Sequence, residues 1–252
     1  MIFYFSATGN SKYVASRLAN ALDSEMISVA DCLKSGRLSF EIQTDERVGF
    51  VFPTYAWGLP SVAREFMQRM ELHTNGSAYF YFVATFGTTP GTIGHTANQL
   101  LVARTERKFD AYFGVKMPDT WTPMFNLSDE EKVQQINDRA EPQIDRIIQR
   151  ARHYTGGNYL KSRVPQFLIP LFEKYYDYMR KTSHFTVESS CIGCGLCEQN
   201  CPADAIRLEN GTPVWTTDRC AMCLGCLHRC PQFAIQYGKS TRKHGQYLNP
   251  HT

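Results

Sequence analysis

Ile2-Phe3-Tyr4-Phe5-Ser6-Ala7-Thr8-Gly9-Asn10-Ser11, followed by Val14, Leu18 and Leu22 at helical spacing, is the stretch that decides the fold of the N-terminal part. Residues 2–5 form a continuous apolar run of strand-prone side chains, and residues 6–11 carry the hydroxyl and amide groups that cap helices. The same unit recurs outward along the chain. Apolar runs at about 25–29, 48–52, 79–84 and 109–116 predict further strands, five in all. Val62, Phe66 and Met70 mark one intervening helix, Leu100 and Arg104 another. Ser128-x-x-Glu131 reads as a capping box that opens a helix to about Arg152, with Ile136, Ala140, Ile144 and Ile147 as its buried stripe. Short, continuously apolar strands alternating with helices predict an α/β domain over residues 1–154, a doubly wound parallel sheet covered on both faces.

The remainder of the chain differs in composition. The 252 residues suffice for one large or two modest domains, and 43% apolar with 20% charged content is that of a globular protein. Eight of the nine cysteines lie beyond residue 190, which sets off a second module. The formal charge of +3 is too small to argue for a nucleic-acid partner. No stretch approaches the roughly 20 apolar residues of a transmembrane helix, and the first residues lack a signal-peptide pattern. A cytoplasmic protein is therefore expected, and in that compartment clustered cysteines favour metal over disulfides.

Cys191-Ile192-Gly193-Cys194-Gly195-Leu196-Cys197-Glu198-Gln199-Asn200-Cys201-Pro202 has the spacing C-x2-C-x2-C-x3-C-P, and residues 220–231 repeat it. Three thiolates two residues apart can wrap one iron–sulfur cubane, while the fourth, ahead of a proline, is out of its reach and ligates the other. Two 4Fe-4S clusters follow: Cys191, Cys194, Cys197 and Cys230 for one, Cys220, Cys223, Cys226 and Cys201 for the second. Zinc is the competing metal, but it prefers two separated C-x2-C pairs around a single tetrahedral ion. With each oxidised cluster carrying about −2 with its ligands, the holo-protein becomes mildly acidic. Asn210-Gly211-Thr212-Pro213 predicts a hairpin turn between the halves. Cys32 stands alone and reads as a small buried apolar residue.

The loop at residues 6–11 offers hydroxyls, an amide and unhindered backbone N–H groups at a helix N-terminus, a neutral phosphate cradle. It lacks the lysine of a nucleoside-triphosphate loop and the G-x-G-x-x-G of a dinucleotide site, and it suits the monophosphate of FMN. An ordinary capped strand–helix turn is the alternative for the loop taken alone. The loop resembles that of flavodoxins, and Pro53-Thr54-Tyr55-Ala56-Trp57-Gly58 and Thr85-Phe86-Gly87-Thr88 fall where that resemblance implies contact with the flavin ring, at the carboxyl ends of the third and fourth strands, where open parallel sheets bind ligands. Tyr55 or Trp57 could stack on the isoalloxazine, and either could instead pack against the helix after Pro60.

The phosphate loop resembles that of flavodoxins, and residues 185–237 resemble bacterial two-cluster ferredoxins, including Ala205-Ile206 and Ala234-Ile235 after each Cys-Pro. Over nearly its full length the chain resembles the flavodoxin–ferredoxin fusion proteins of anaerobic bacteria and archaea. That resemblance implies a flavodoxin-like five-stranded sheet of order 2-1-3-4-5 and a small α+β ferredoxin domain at 185–238. Residues 155–184 are then a linker and 239–252 a tail. In the linker, Leu171, Phe172, Tyr175, Tyr176 and Met179 form an aromatic helical face; a helix packed against both domains is preferred over one lying on a membrane. Pro165 and Pro170 are expected to interrupt this segment.

The expected function is electron transfer that converts between two-electron and one-electron steps. Expected partners are ferredoxin- or flavodoxin-type donors and acceptors, or a reductase with a basic patch, because residues 185–238 carry five acidic and three basic side chains. Flavin and clusters meet within one chain or across a homodimer. The alternative is an FMN-dependent reductase of a small acceptor or of NAD(P)H; no nicotinamide fingerprint or catalytic constellation marks it, and His73 and His95 stand isolated.

Overall fold

The computed structural model describes residues 1–74, 76–162 and 164–252. In chain order the first part runs β1 (Ile2–Tyr4), α1 (Asn10–Leu22), β2 (Met26–Ser28), α2 (Val29–Ser35), β3 (Ser39–Ile42), β4 (Glu46–Pro53), α3 (Ser61–Arg69), β5 (Glu71–Thr74), β6 (Ala78–Phe86), α4 (Ile93–Thr105), β7 (Ala111–Lys116), α5 (Glu130–Arg152) and β8 (Gly157–Asn158). Then come α6 (Ile169–Met179), β9 (Phe185–Val187), α7 (Leu196–Gln199), β10 (Ile206–Glu209), β11 (Thr212–Trp215), α8 (Gly225–Arg229), β12 (Ile235–Tyr237) and α9 (Thr241–His244).

The main sheet is parallel, in the order β2-β1-β4-β6-β7-β8. The five expected strands stand in the expected order. The count is corrected to six, because Gly157 and Asn158 pair with Ala111 and Tyr112 at the β7 edge. Two residues with no apolar pattern give no strand signal. What holds them is tertiary: Tyr159 N–H donates to Tyr112 O at 2.8 Å, and its ring stacks on Phe113 at 5.4 Å. A separate parallel pair, β3 with β5, also carries too short a pattern to read; its strands alternate exposed Glu41 and Glu71 with inward Phe40 and Leu72 over only four residues each.

Successive side chains of a strand point to opposite faces, and β4 shows how this builds two cores. Val48, Phe50 and Phe52 join Phe3, Phe66 and Phe82 on one face, under α2, α3 and α4. Val51 joins Ile2, Tyr81, Val83 and Phe113 on the other, where Val14 and Leu18 of α1 and Ala140 and Ile144 of α5 close over them. Burying a Phe or Leu contributes about 1.5–3 kcal/mol each, so the sheet is held chiefly by these two layers. Helix α5 begins one residue later than the capping-box pattern predicts. Ser128 Oγ donates instead to Asn126 Oδ1 at 2.8 Å, and Asp129 caps the helix by accepting Lys132 N–H at 3.0 Å. Cys32 is buried on α2, in the Phe3 core.

Within the second module β10 and β11 form the expected hairpin, turning at Asn210 and Gly211, both at positive φ as such a tight turn requires. β9 and β12 pair antiparallel, with Phe185 stacked on Trp215 at 4.5 Å. Helix α6 joins the modules by one face. Tyr176 is buried; its OH donates to Ala221 O at 2.7 Å and accepts Ser61 N–H at 3.2 Å. Pro170 lies in the first turn of α6, where its missing N–H costs nothing, and so opens the helix rather than interrupting it.

Candidate functional site

At the carboxyl end of the sheet the chain goes from β1 to β2 on one side and to β4 on the other, leaving a crevice between the two directions. A cleft of about 170 Å³ occupies it. The three loops singled out from the sequence converge there: Ser6, Ala7, Thr8, Asn10 and Ser11; Pro53, Thr54, Tyr55, Ala56 and Trp57; Thr85, Phe86, Gly87 and Thr88. Gly9 and Gly58 belong to these loops without lining the cleft. A fourth loop, Met117 to Trp121 after β7, carries no sequence signal; its one polar group of note, Asp119, stands outside any recognisable motif. Tyr175, Tyr176 and Met179 of α6 close one side, and Met222, Cys223 and Leu224 of the second module close the floor.

Each loop is fixed by identifiable contacts. Gly9 sits at φ 98°, and a side chain there would overlap Thr252 and Asn249. Ser6 Oγ accepts Gly9 N–H at 3.1 Å, which curls the turn. Ser11 Oγ bonds Thr85 Oγ1 at 2.7 Å and so ties the first loop to the end of β6. Asn10 is tied to the protein: its Nδ2 donates to Pro118 O at 3.1 Å, and its Oδ1 accepts from Tyr247 OH at 2.8 Å and Asn249 Nδ2 at 3.2 Å. These bonds fix the shape of the loop. In the second loop Ala56 and Trp57 both hold positive φ, 45° and 64°, between the paired Tyr55 and Gly58. Non-glycine residues seldom adopt this conformation unless their surroundings impose it. Here Thr92 does so, donating to Trp57 O from its N–H at 2.7 Å, while Gly91, at φ 58°, leaves room for the Trp57 backbone.

The lining suits a planar aromatic group with a phosphate tail. Ser6, Thr8, Thr54, Thr88 and Thr120 bring hydroxyl-bearing side chains to its lining, and Thr54 Oγ1 is buried without a partner among the described residues. Such an orphan costs about 1–3 kcal/mol unless a ligand satisfies it. Among the described residues the only charged group in the lining is Asp119, whose carboxyl is raised above its ordinary pKa by burial and only partly compensated by the Trp121 N–H. Tyr55, set edge-on to Phe5 at 6.2 Å, has its hydroxyl pKa pushed far up by burial and by the Cys223 and Tyr176 groups beside it. Trp57 lies on the open side, tilted against Phe172 at 5.2 Å and Tyr175 at 6.2 Å. The cleft thus has one aromatic toward the cysteines and one toward α6.

Two smaller cavities lie in the second module. Cys191, Cys194, Cys197 and Cys230 ring one; Cys201, Cys220, Cys223 and Cys226 ring the other. A zinc site draws its donors to a point about 2.3 Å away. Four thiols around a cavity fit a polynuclear cluster. Backbone groups already aim at the sulfurs: Ala205 N–H donates to Cys201 Sγ at 3.3 Å, Ala234 N–H to Cys230 Sγ at 3.3 Å, and Met222 N–H to Cys220 Sγ at 3.2 Å. Burial pushes the Cys220 thiol up to about 11 and Cys223 to about 12, so metal must displace protons that these sites otherwise retain. Cys223 lines both its cluster cavity and the large cleft.

The tail packs against the loop at residues 6–11 and against the second module. Gln246 Nε2 donates to Leu227 O and Cys230 O at 2.7 and 2.8 Å, Asn249 N–H donates to Thr8 O at 2.8 Å, and His251 stacks on Tyr13 at 4.8 Å. His228 accepts Tyr247 N–H at Nδ1, so its Nε2 carries the proton and donates to Thr120 O at 2.9 Å. Burial holds this imidazole neutral, with a pKa lowered to about 4. Arg229 Nε donates to Ala7 O at 3.1 Å.

Comparison with known proteins agrees with both modules. Residues 1–146, more than half of the chain, match the model of a flavodoxin domain, and residues 190–235 match that of a 4Fe-4S dicluster domain. A component of an ion-translocating oxidoreductase complex from Methanosarcina acetivorans is 43% identical over 49 residues, 19% of this chain and 19% of that protein. The ferredoxin-type protein FwdE of Methanocaldococcus jannaschii is 27% identical over 124 residues, 39% of this chain and 83% of that protein. The chain thus spans about a fifth of the first relative's length. Among solved structures, a short-chain flavodoxin associated with a bacterial microcompartment aligns with 57% of this chain and 95% of its own, at 15% identity and TM-score 0.32. Rubredoxin oxygen:oxidoreductase from Desulfovibrio gigas aligns with 60% and 36%, at 16% identity and TM-score 0.31. The chain belongs to the flavodoxin-domain family and carries a 4Fe-4S dicluster domain at its C-terminal end.

Proposed function

We propose that this electron-transfer protein couples one FMN, held in the large cleft, to two 4Fe-4S clusters, and converts two-electron exchange at the cleft into one-electron exchange at the second module. FMN supplies a centre that accepts electrons in pairs or singly, and each cluster supplies a one-electron centre. The observation that carries the reading is Cys223, a wall shared by the cleft and one four-thiol cavity. The two sites are therefore neighbours across side chains alone.

In this reading the chain's own groups have distinct tasks. The N–H groups and hydroxyls of Ser6, Thr8 and their neighbours hold the phosphate without a cation at the loop. Tyr55 or Trp57 would stack on the ring, and Thr54 Oγ1 would gain the partner it lacks. Met222, Cys223 and Leu224 exclude water between the two redox centres. Cys201, Cys220, Cys223 and Cys226 would hold the cluster that shares that wall, and Cys191, Cys194, Cys197 and Cys230 the second, each supplying a one-electron centre. There Cys194 is exposed, open to a docked protein.

Anaerobic purification with iron, sulfide and flavin quantified tests the cofactor set; about eight irons and one FMN per chain are expected. Reduction of the flavin by dithionite-reduced ferredoxin tests the coupling. Flavin that stays oxidised while the clusters bleach would sink it.

A further inference from the structure

Helix α6 shows solvent a face that neither module covers. Phe167, in the turn ahead of it, is 79% exposed, Leu171 60%, Tyr175 45% and Tyr178 62%. Leu171, Tyr175 and Tyr178 are spaced i, i+4, i+7, so they share one side of the helix, and Phe167 precedes Leu171 by one turn. The face cannot roll inward. On the opposite side Tyr176 is anchored to both modules through Ala221 O and Ser61 N–H, and Arg180 Nε donates to Cys220 O at 2.7 Å.

The charges around this face are unequal in their satisfaction. Glu173 is held by Arg64 at 2.7 Å and Asp177 by Arg180 at 3.2 Å, so both acids are answered within the protein. Lys174 and Lys181 are exposed and, among the described residues, have no acidic partner, as is also true of Lys161 upstream. Lys174 falls between Leu171 and Tyr178 on the same side, and Lys181 Nζ lies 4.8 Å over the Tyr178 ring. An apolar face edged by unanswered positive charge asks for a partner that is apolar within and anionic at its surface.

We propose that α6 and its leading turn lie on an anionic lipid surface. No helix of the described residues is long and apolar enough to cross a membrane, so the contact is one of lying on the bilayer. Lipid is favoured by charge: the acids Glu173 and Asp177 are paired within the protein, whereas exposed Lys174 and Lys181 have no acidic partner among the described residues and edge the apolar side chains with positive charge. Tyrosine rings suit the headgroup level, and lysines lay their aliphatic stems along it while keeping the ammonium among the phosphates. Trp57 is 38% exposed beside Tyr175, and both line the cleft. The mouth of the cleft therefore opens along the same surface.

The test is co-sedimentation of the purified full chain, with its cofactors, on vesicles of phosphatidylcholine alone or mixed with phosphatidylglycerol. Partitioning onto the mixed vesicles is expected, with little onto the neutral ones. Phe167→Ser combined with Leu171→Ser should lower it on the order of tenfold or more. Lys174→Gln combined with Lys181→Gln should lower it roughly fivefold per lysine and erase the preference for phosphatidylglycerol. These side chains are exposed, so iron and flavin content serve as controls for folding. No sedimentation with either vesicle, or sedimentation unchanged by the serine pair, overturns the proposal. So does a dimer that the serine pair converts to monomer, since the face then belongs to a second copy of the chain.

Discussion

Cys223 and Asp119 face the cleft from opposite modules, and each makes a prediction of its own. A serine at Cys223 keeps the size of the side chain but is a poor iron ligand, so the variant should retain about half the iron of the parent, measured as iron and sulfide per chain. Cys194→Ser should remove the other half, and the flavin-binding cleft should survive it better because Cys194 is not in its wall. Asp119 is costly where it stands. Its folded pKa lies above the ordinary 3.8, so the neutral acid is the form the fold favours, and the cost of the charged form is felt once pH rises through the folded value. Asp119→Asn keeps an acceptor for the Trp121 N–H, 3.1 Å from Oδ1. Flavin-free Asp119→Asn should therefore melt at a higher temperature than the parent at neutral pH, and the gap should close as pH falls below 3.8. A gap that persists unchanged in acid would assign the effect to something other than the charge.

At the scale of elements, local signals are legible in the sequence and long-range ones are not. Residues 2–11 carry strand, turn and helix cap within ten positions, and the cysteine spacing holds two ligand sets in two short runs. The crossing of Cys201 and Cys230 between cavities follows from spacing alone, and the two cavities are ringed as that crossing requires. By contrast β8 exists because Tyr112 and Phe113 receive Tyr159, and the loop holding Asp119 reaches the cleft only through β7 pairing with β6. Neither contact has a local pattern. The tail is the clearest case: its sequence carries no signal for the loop it meets, yet Tyr247 OH donates to Asn10 Oδ1 at 2.8 Å, lies 3.1 Å from Asn137 Oδ1 and accepts from Asn249 Nδ2 at 3.3 Å. Tyr247→Phe removes this hydroxyl from a buried polar cluster and should cost about 1–3 kcal/mol by denaturant unfolding. Since Asn10 lies in the proposed phosphate loop, flavin affinity should fall in the same variant while iron content holds. Equal loss of both cofactors would mean that the tail stabilises the chain generally and does not position the loop.

For the molecule as a whole, the decisive relation is the order of its redox sites. The cleft meets the Cys223 cavity directly, whereas the cavity ringed by Cys191, Cys194, Cys197 and Cys230 lies away from it, beside exposed Ile192 and Leu196. The proposed relay would therefore be linear, with one end at the cleft and the other at the surface. The outer end is also where charge matters. Five acidic and three basic side chains between residues 185 and 238, together with about −2 for each bound cluster and its ligands, give a negative face. A basic donor would approach it by long-range attraction that salt screens beyond about 10 Å at 0.1 M. Flavin reduction by such a donor should accordingly slow as ionic strength rises, while reduction by a small neutral reductant acting at the cleft should not. Cys194→Ser should abolish the first route and leave the second intact, as followed by flavin absorbance under stopped flow. If the protein donor reduces the flavin equally well in Cys194→Ser, electrons enter at the cleft without crossing the outer site, and the linear order is wrong.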